Sequence, residues 1–196
     1  MLYFIDDLDK ISIEEIENII PTLPEQRREQ ALKFKFQLGR KTCVLAYQLL
    51  CKGLREEYGI SEMPIFEYGE HGKPSIVGHE NIHFNMSHCK NAVMCYISNR
   101  PVGIDVEMLG RGNDNLIDYT MSDEEKKQIN SSPAPNTEFI RMWTQKEAVL
   151  KLQGTGIIDD MKNVLKPENM QGIKVETTVC EDKGYAYSLA YFTSKV

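Results

Sequence analysis

A chain of 196 residues with 41% hydrophobic and 27% charged residues is long enough for a continuous core and has the composition of a globular protein. Its net charge of -6 argues against a general nucleic-acid binder, which usually carries a basic surface. No stretch approaches the ~20 apolar residues of a membrane helix, and acids at 6, 7 and 9 interrupt any signal-peptide-like run. Five cysteines without C-x-x-C spacing favour free thiols in a reducing compartment. We therefore expect a cytoplasmic protein that binds neither membrane nor nucleic acid.

The N-terminal part predicts one strand followed by three helices. The strand covers 2–5, and Ser12 with Glu15 is a capping-box signature for a helix that Pro21 ends. Helical patterns follow over 25–36 and over 40–58. The most basic segment of the chain spans this region, with six cations against the single acid Glu29: Arg27, Arg28, Lys33, Lys35, Arg40 and Lys41.

Short β-rich runs predict a change to strands in the middle of the chain. They are separated by Gly, Pro, Asn and Arg, and the segment 98–101 is predicted as a hairpin turn between the last two. The predicted strands cover 65–68, 83–86, 92–98 and 102–107.

The C-terminal part repeats the order of helices followed by strands. Segments 111–120 and 131–136 are predicted as loops, and Ser122 with Glu125 is a second capping box. A long helix is predicted over 137–152, and strands over 173–179 and 185–192 are joined by a turn. We expect an α+β fold of two similar halves, 1–99 and 100–196, although no internal sequence repeat is present.

Two acids alternate within the apolar run Val102–Glu107. Because strand side chains point to alternate faces, Asp105 and Glu107 project together, away from Ile104 and Val106. Buried acids need a metal or another partner. Together with Glu147 they supply the oxygen ligands that magnesium prefers, while the alternative is that the two glutamates are solvated surface acids.

Three further groups are candidates for binding phosphate. Lys151 lies one helical turn after Glu147, either as an exposed ion pair or as a cation for phosphate charge. Gly72-Lys73-Pro74 is either a ligand-contacting turn or an ordinary surface turn, and it lacks the spacing of a Walker loop. Ser87 and His88 end a strand; a structural histidine is the alternative there, and a hydrolytic triad is disfavoured because no G-x-S-x-G elbow occurs.

Four segments, taken in their order along the chain, resemble the Sfp-type 4′-phosphopantetheinyl transferases. They are GKP at 72–74, FNMSH at 84–88, VGIDVE at 102–107 and WTQKEAVLK at 143–151. The resemblance covers about residues 27–157. It implies a pseudo-twofold α+β fold with coenzyme A in the cleft between the halves, and an acyl or peptidyl carrier protein as partner. We expect a monomer.

The resemblance also implies roles for individual residues. Asp105, Glu107 and Glu147 correspond to magnesium ligands, and Lys151 to the lysine near the reacting phosphate. Coenzyme contacts are implied for Ser87, for His88 at the 3′-phosphate, for the turn Gly72, Lys73 and Pro74, and for the cations Arg27 and Lys41, with Arg40 as the alternative to Lys41. Two positions depart from the family pattern. Cys89 stands where many members have serine, and Gln30 stands where some have lysine.

The implied reaction is the attack of a carrier-protein serine on the β-phosphate of coenzyme A, with release of 3′,5′-adenosine bisphosphate. Asp105, Glu147 and Lys151 are the implied catalytic residues, and the sequence does not choose between Glu147 and a metal-bound water as the base. Two other functions fit the acids and lysine alone: a metal-dependent nuclease, and a non-catalytic binder of coenzyme or carrier protein.

Overall fold

The computed structural model describes residues 1–156 and 160–193 and shows the predicted mixture of helices and sheets. Residue 157, where the resemblance ends, and residues 194–196 of the second predicted half lie outside this range. No helix in the described part is long and apolar enough to cross a membrane. The elements in chain order are β1 Leu2–Ile5, α1 Ile13–Ile19, α2 Glu25–Lys33, α3 Gln37–Tyr58, β2 Phe66–Tyr68, β3 Pro74–Ile76, β4 His83–His88, β5 Val93–Ser98, β6 Val102–Met108, α4 Asp114–Thr120, α5 Asp123–Ser131, α6 Pro135–Gln153, β7 Ile173–Cys180 and β8 Tyr185–Phe192.

The strands form three antiparallel sheets, ordered β1-β5-β4, β2-β3 and β6-β8-β7. Helix α3 packs on the first sheet and helix α6 on the third, each with an apolar core between helix and strands. Segment 98–101 is therefore not the hairpin turn that was predicted. Strand β5 is already paired on both edges by β1 and β4, so β6 has no free edge there and pairs with β8 instead.

Strand β4 lies alongside β6 where the first and third sheets meet, and side chains make the hydrogen bonds between them. The Ile104 amide donates to Asn85 Oδ1 at 2.8 Å, and the Val106 amide donates to Ser87 Oγ at 3.2 Å. Because these pairs advance together along both strands, β4 and β6 run in the same direction. This junction brings the end of β4 beside the acids of β6.

Two predicted loops were wrong in part. Segment 111–120 contains helix α4, because the Asn113 side chain accepts the Leu116 amide at 3.0 Å and the helix packs its apolar residues on the core beside α6. Segment 131–136 contains the start of α6, since Pro135 suits the first turn of a helix. Both predicted capping boxes are confirmed, and α1 ends before Pro21.

Candidate active site

A cleft of about 340 Å³ lies between β4, β6 and α6. It brings together six of the predicted site residues, although they come from three separate segments of the chain. Its walls are formed by Met86, Ser87, His88, Asp105, Glu107, Arg111, Trp143, Glu147 and Lys151.

Gly103 allows α6 to approach β6 closely enough to form this cleft. A Cβ atom at this position would lie 2.0 Å from the Ala148 carbonyl oxygen and 2.4 Å from the Leu152 amide nitrogen. Gly103 shares a strand face with Asp105 and Glu107, so the face that packs on α6 carries both acids. The close approach places Glu147 and Lys151 of α6 directly over them.

Lys151, Asp105 and Ser87 form one hydrogen-bonded cluster. Lys151 Nζ lies 2.6 Å from Asp105 Oδ1 and 3.0 Å from Ser87 Oγ, and Ser87 donates to the same Asp105 oxygen at 2.9 Å. Asp105 is only 5% exposed, so a lysine partner compensates much of the electrostatic cost of burying its carboxylate. One ammonium and one hydroxyl thus contact the same Asp105 oxygen in the cleft.

The other carboxylate oxygens in the cleft have fewer hydrogen-bond partners. Glu107 accepts a hydrogen bond from Arg111. Within the described residues, Asp105 Oδ2 and Glu147 Oε1 are buried and have no hydrogen-bond partner. Burial raises the pKa of Glu147, and repulsion from Asp105 and Glu107 raises it further against the opposing effect of Lys151. Two unpartnered carboxylate oxygens in one cleft are a setting that a cation would relieve.

The donor set fits a magnesium ion in its chemistry, since carboxylate oxygens from three acids line one cleft. The acids are not preassembled around a common point: residues 1–156 and 160–193 contain no group of three or more His, Cys, Asp or Glu side chains arranged to hold a metal. One oxygen each of Asp105 and Glu107 is instead held by Lys151 and Arg111.

Lys73 makes its hydrogen bonds to the protein backbone. Its ammonium donates to the carbonyl oxygens of Lys151 at 2.6 Å, Leu152 at 3.0 Å and Val102 at 3.3 Å. The coenzyme contact predicted for Lys73 stays a prediction. Gly72, Lys73 and Pro74 line a second pocket of about 190 Å³, which shares Lys151 with the first cleft.

The basic segment is not brought into the cleft. Arg27 is buried, donates to Gln30 and to the Cys43 carbonyl, and stacks on two aromatic rings. Arg40 pairs with Glu17 at 2.7 Å. Lys41 donates to the carbonyls of Leu8 and Ile11 and lines a different pocket. Coenzyme contacts by Arg27, Arg40 and Lys41 stay predictions.

His88 lies at the rim of the cleft with an exposed side chain. Partial desolvation of its imidazole lowers the pKa, and the nearby charge of Lys151 adds to this effect, while Asp105 opposes it. This shift favours the neutral imidazole in the free protein. The 3′-phosphate contact of His88 stays a prediction.

Sequence reasoning missed the roles of four residues in or near the cleft. Gly103 and Arg111 were not singled out, although a glycine within a strand often marks close backbone approach. Trp143 packs against two apolar clusters and also lines the cleft. Lys146 is fully buried and donates to Glu125 at 2.7 Å and to two backbone carbonyls. Its sequence context gives no signal of burial, because a lysine on a helix is usually solvated.

Fold and site together define a mixed α+β protein with acids and a lysine in one cleft, and comparison with known proteins shows which family it resembles. A model described as the 4′-phosphopantetheinyl transferase superfamily matches residues 101–193. The chain is 32% identical over 152 residues to 4′-phosphopantetheinyl transferase psf-1 of Bacillus pumilus, covering 76% of this chain and 65% of that protein. It is 25% identical over 150 residues to 4′-phosphopantetheinyl transferase Sfp of Bacillus subtilis strain 168, covering 75% and 67%.

A further relative, 4′-phosphopantetheinyl transferase gsp of Aneurinibacillus migulanus, is 35% identical over 100 residues, covering 50% of this chain and 41% of that protein. The chain spans about two thirds of the length of psf-1 and Sfp. The predicted resemblance to the 4′-phosphopantetheinyl transferases is confirmed, over residues 101–193 by the superfamily model and over about three quarters of the chain by psf-1 and Sfp.

Proposed function

We propose that the protein transfers the 4′-phosphopantetheine arm of coenzyme A to a serine of an acyl or peptidyl carrier protein and releases 3′,5′-adenosine bisphosphate. The observation that carries this proposal is the meeting of Asp105, Glu147 and Lys151 in one cleft, in a chain whose relatives are named for this transfer. We further propose that it acts as a cytoplasmic monomer.

The proposed coenzyme site lies between two halves, 1–99 and 100–196, related by a pseudo-twofold axis. In support, each half has a three-stranded antiparallel sheet under one long helix, α3 in the first and α6 in the second. The cleft lies at their junction, where β4 meets β6.

Asp105, Glu107 and Glu147 would hold a magnesium ion. Bound there, the ion would supply positive charge to the pyrophosphate oxygens during transfer. In the free protein, Lys151 and Arg111 occupy oxygens of two of these acids.

The chain's own groups account for the rest of the reaction. Lys151 stabilises charge on the phosphate, and its position is set by Ser87 and Asp105. We assign Glu147 as the base that takes the proton of the attacking serine, because its Oε1 atom is buried in the cleft and has no hydrogen-bond partner among the described residues. Gly72 and Pro74 line the adjoining pocket, which we assign to the nucleotide.

The test is mass spectrometry of an apo carrier protein incubated with coenzyme A, magnesium and this protein. We expect the mass of one phosphopantetheine to be added to the carrier serine. Carriers of fatty-acid, polyketide and peptide synthesis are tested in parallel. If none gains mass, and magnesium-dependent cleavage of DNA is seen instead, the nuclease alternative replaces this proposal.

Replacing Asp105 tests the site directly. Asp105→Ala removes one magnesium ligand and the partner of Lys151, so we expect transfer to fall by about 10²–10³ or more, as for other groups that stabilise transition-state charge. Circular dichroism should show the fold intact. Near-wild-type turnover would show that the metal assignment is wrong. The exposed Lys52→Ala on α3 serves as the control with unchanged turnover.

A further inference from the structure

We propose that Lys73 is a positioning residue: its ammonium ties the turn at 72–74 to the C-terminal end of α6 and thereby fixes Lys151 in the cleft. The inference rests on the proposed function, since it concerns the same lysine. It is an alternative to the coenzyme contact that the resemblance implies for Lys73.

The contacts of Lys73 join segments that are far apart in the chain. Its ammonium lies 2.6 Å from the Lys151 carbonyl and 3.0 Å from the Leu152 carbonyl, both in the last turn of α6. A third contact, at 3.3 Å, reaches the Val102 carbonyl where β6 begins. One side chain thus connects the turn before β3 to the strand that carries the acids and to the helix that lies over them.

The end of α6 needs such a partner, because the last carbonyls of a helix have no intrahelical donor. The Gly154 and Thr155 amides both turn back to the Leu150 carbonyl, at 2.8 and 3.3 Å. The next two carbonyls, of Lys151 and Leu152, receive the Lys73 ammonium. A cation at this end also opposes the negative end of the helix dipole.

Lys151 is consequently held at two points. Its carbonyl is bound by Lys73, and its own ammonium is bound by Asp105 and Ser87. Without Lys73 the helix end would be free to fray, and the side chain of Lys151 would lose its fixed origin. Lys73 Cδ also lies 3.4 Å from the position a Cβ would take at Gly154, so the turn packs directly on the helix end.

The ammonium of Lys73 uses its donors within the protein, although the side chain also lines the second pocket. A lysine has three N–H donors, and three carbonyl oxygens lie within hydrogen-bond distance here. Burial lowers the pKa of Lys73. A coenzyme phosphate would compete with these three carbonyl oxygens for the N–H donors of Lys73.

Hydrogen exchange tests the tie independently of any activity. In Lys73→Met we expect the amides of Gly154 and Thr155 to lose at least about tenfold of their protection, while amides in the middle of α3 keep theirs. Lys73→Arg keeps a cation and should retain most of the protection. Leu50→Ala, in the core under α3, is the matched variant that lowers global stability without touching the end of α6.

Kinetics with a carrier protein test the positioning of Lys151. We expect kcat of Lys73→Met to fall by at least about tenfold with KM for coenzyme A changed by less than about threefold, since a displaced group affects the rate more than binding. Leu50→Ala should keep its kcat at a temperature where it is folded. A phosphate ligand would behave differently: its loss would weaken coenzyme A far more than 3′-dephospho-coenzyme A.

The outcomes separate cleanly. Unchanged exchange at Gly154 and Thr155 in Lys73→Met overturns the tie, as does a selective loss of affinity for coenzyme A over its dephospho form. If Lys73→Met does not fold, Lys73→Gln, whose amide can still donate to two carbonyls, is compared with Lys73→Arg by the same measurements. Local loss of protection without transfer activity in the wild-type protein would keep the tie and reject the proposed function.

Discussion

The two long helices α3 and α6 each cover a three-stranded antiparallel sheet, but they do so with different chemistry. Helix α3 buries mainly apolar side chains, with Thr42 near its start as its buried polar residue. Helix α6 buries Thr144 and Lys146 in its middle and carries Glu147 and Lys151 into the cleft.

Each helix–sheet interface contains a glycine, which lies on the helix in the first half and on the strand in the second. Gly53 lies on helix α3, where a Cβ would meet the side chains of Ile97 and Tyr3. Gly103 lies on strand β6, where a Cβ would meet the backbone of α6. The first half is thus a scaffold held by side-chain packing, whereas the second brings backbones together and uses the space for charged groups.

Alanine at the two glycines is the most severe test of this difference. Gly103→Ala should destabilise the protein by about 3 kcal/mol or more and abolish transfer, because helix backbone cannot yield to a Cβ 2.0 Å away. Gly53→Ala should cost about 1–3 kcal/mol and leave turnover per folded molecule unchanged, since side chains can repack. Urea unfolding and carrier-loading assays measure both. Equal loss of turnover in the two variants would contradict the comparison.

The two capping boxes give the next largest contrast. Ser12–Glu15 and Ser122–Glu125 have the same pattern. Glu125 also accepts a hydrogen bond, at 2.7 Å, from the ammonium of the fully buried Lys146. Glutamine preserves a capping box. Glu125→Gln should therefore cost about 3 kcal/mol by leaving a buried charge unpaired, while Glu15→Gln should cost only a few tenths. Urea unfolding measures each, and similar small losses would show that Lys146 does not depend on Glu125.

The smallest effect has the opposite sign. Folding raises the pKa of Glu147, so in the metal-free protein its carboxylate destabilises the fold above the folded-state pKa and has no such effect below the unfolded value of 4.5. Glu147→Gln should stabilise the metal-free protein by about 1 kcal/mol at pH 8, with the gain shrinking toward pH 5, while transfer is lost.

Urea unfolding of the metal-free protein from pH 5 to pH 8 measures this gain. Glu107→Gln is the control, because Glu107 is paired with Arg111 and its replacement should bring no gain. A loss of stability in Glu147→Gln at pH 8 would show that its carboxylate is compensated in the fold. Magnesium should raise the melting temperature of the wild-type protein and leave that of Glu147→Gln nearly unchanged.

Local patterns in the sequence determined a large part of the elements and of the cleft. Alternation in β6 put Asp105 and Glu107 on one face, and helical spacing put Glu147 and Lys151 on another, because face and period depend only on neighbouring residues. The capping boxes followed from side chains three residues apart. These features need no knowledge of the rest of the chain.

Tertiary structure alone decided which partners meet. Strand β6 pairs with β8 because the edges of β5 are occupied, and Lys73 binds the end of α6 because packing brings unsatisfied carbonyls to its turn. Lys146 and Arg27 are buried for the same reason. Whether a cation faces solvent, phosphate or backbone depends on segments that are distant in sequence. Local sequence patterns do not show which of these segments pack against it.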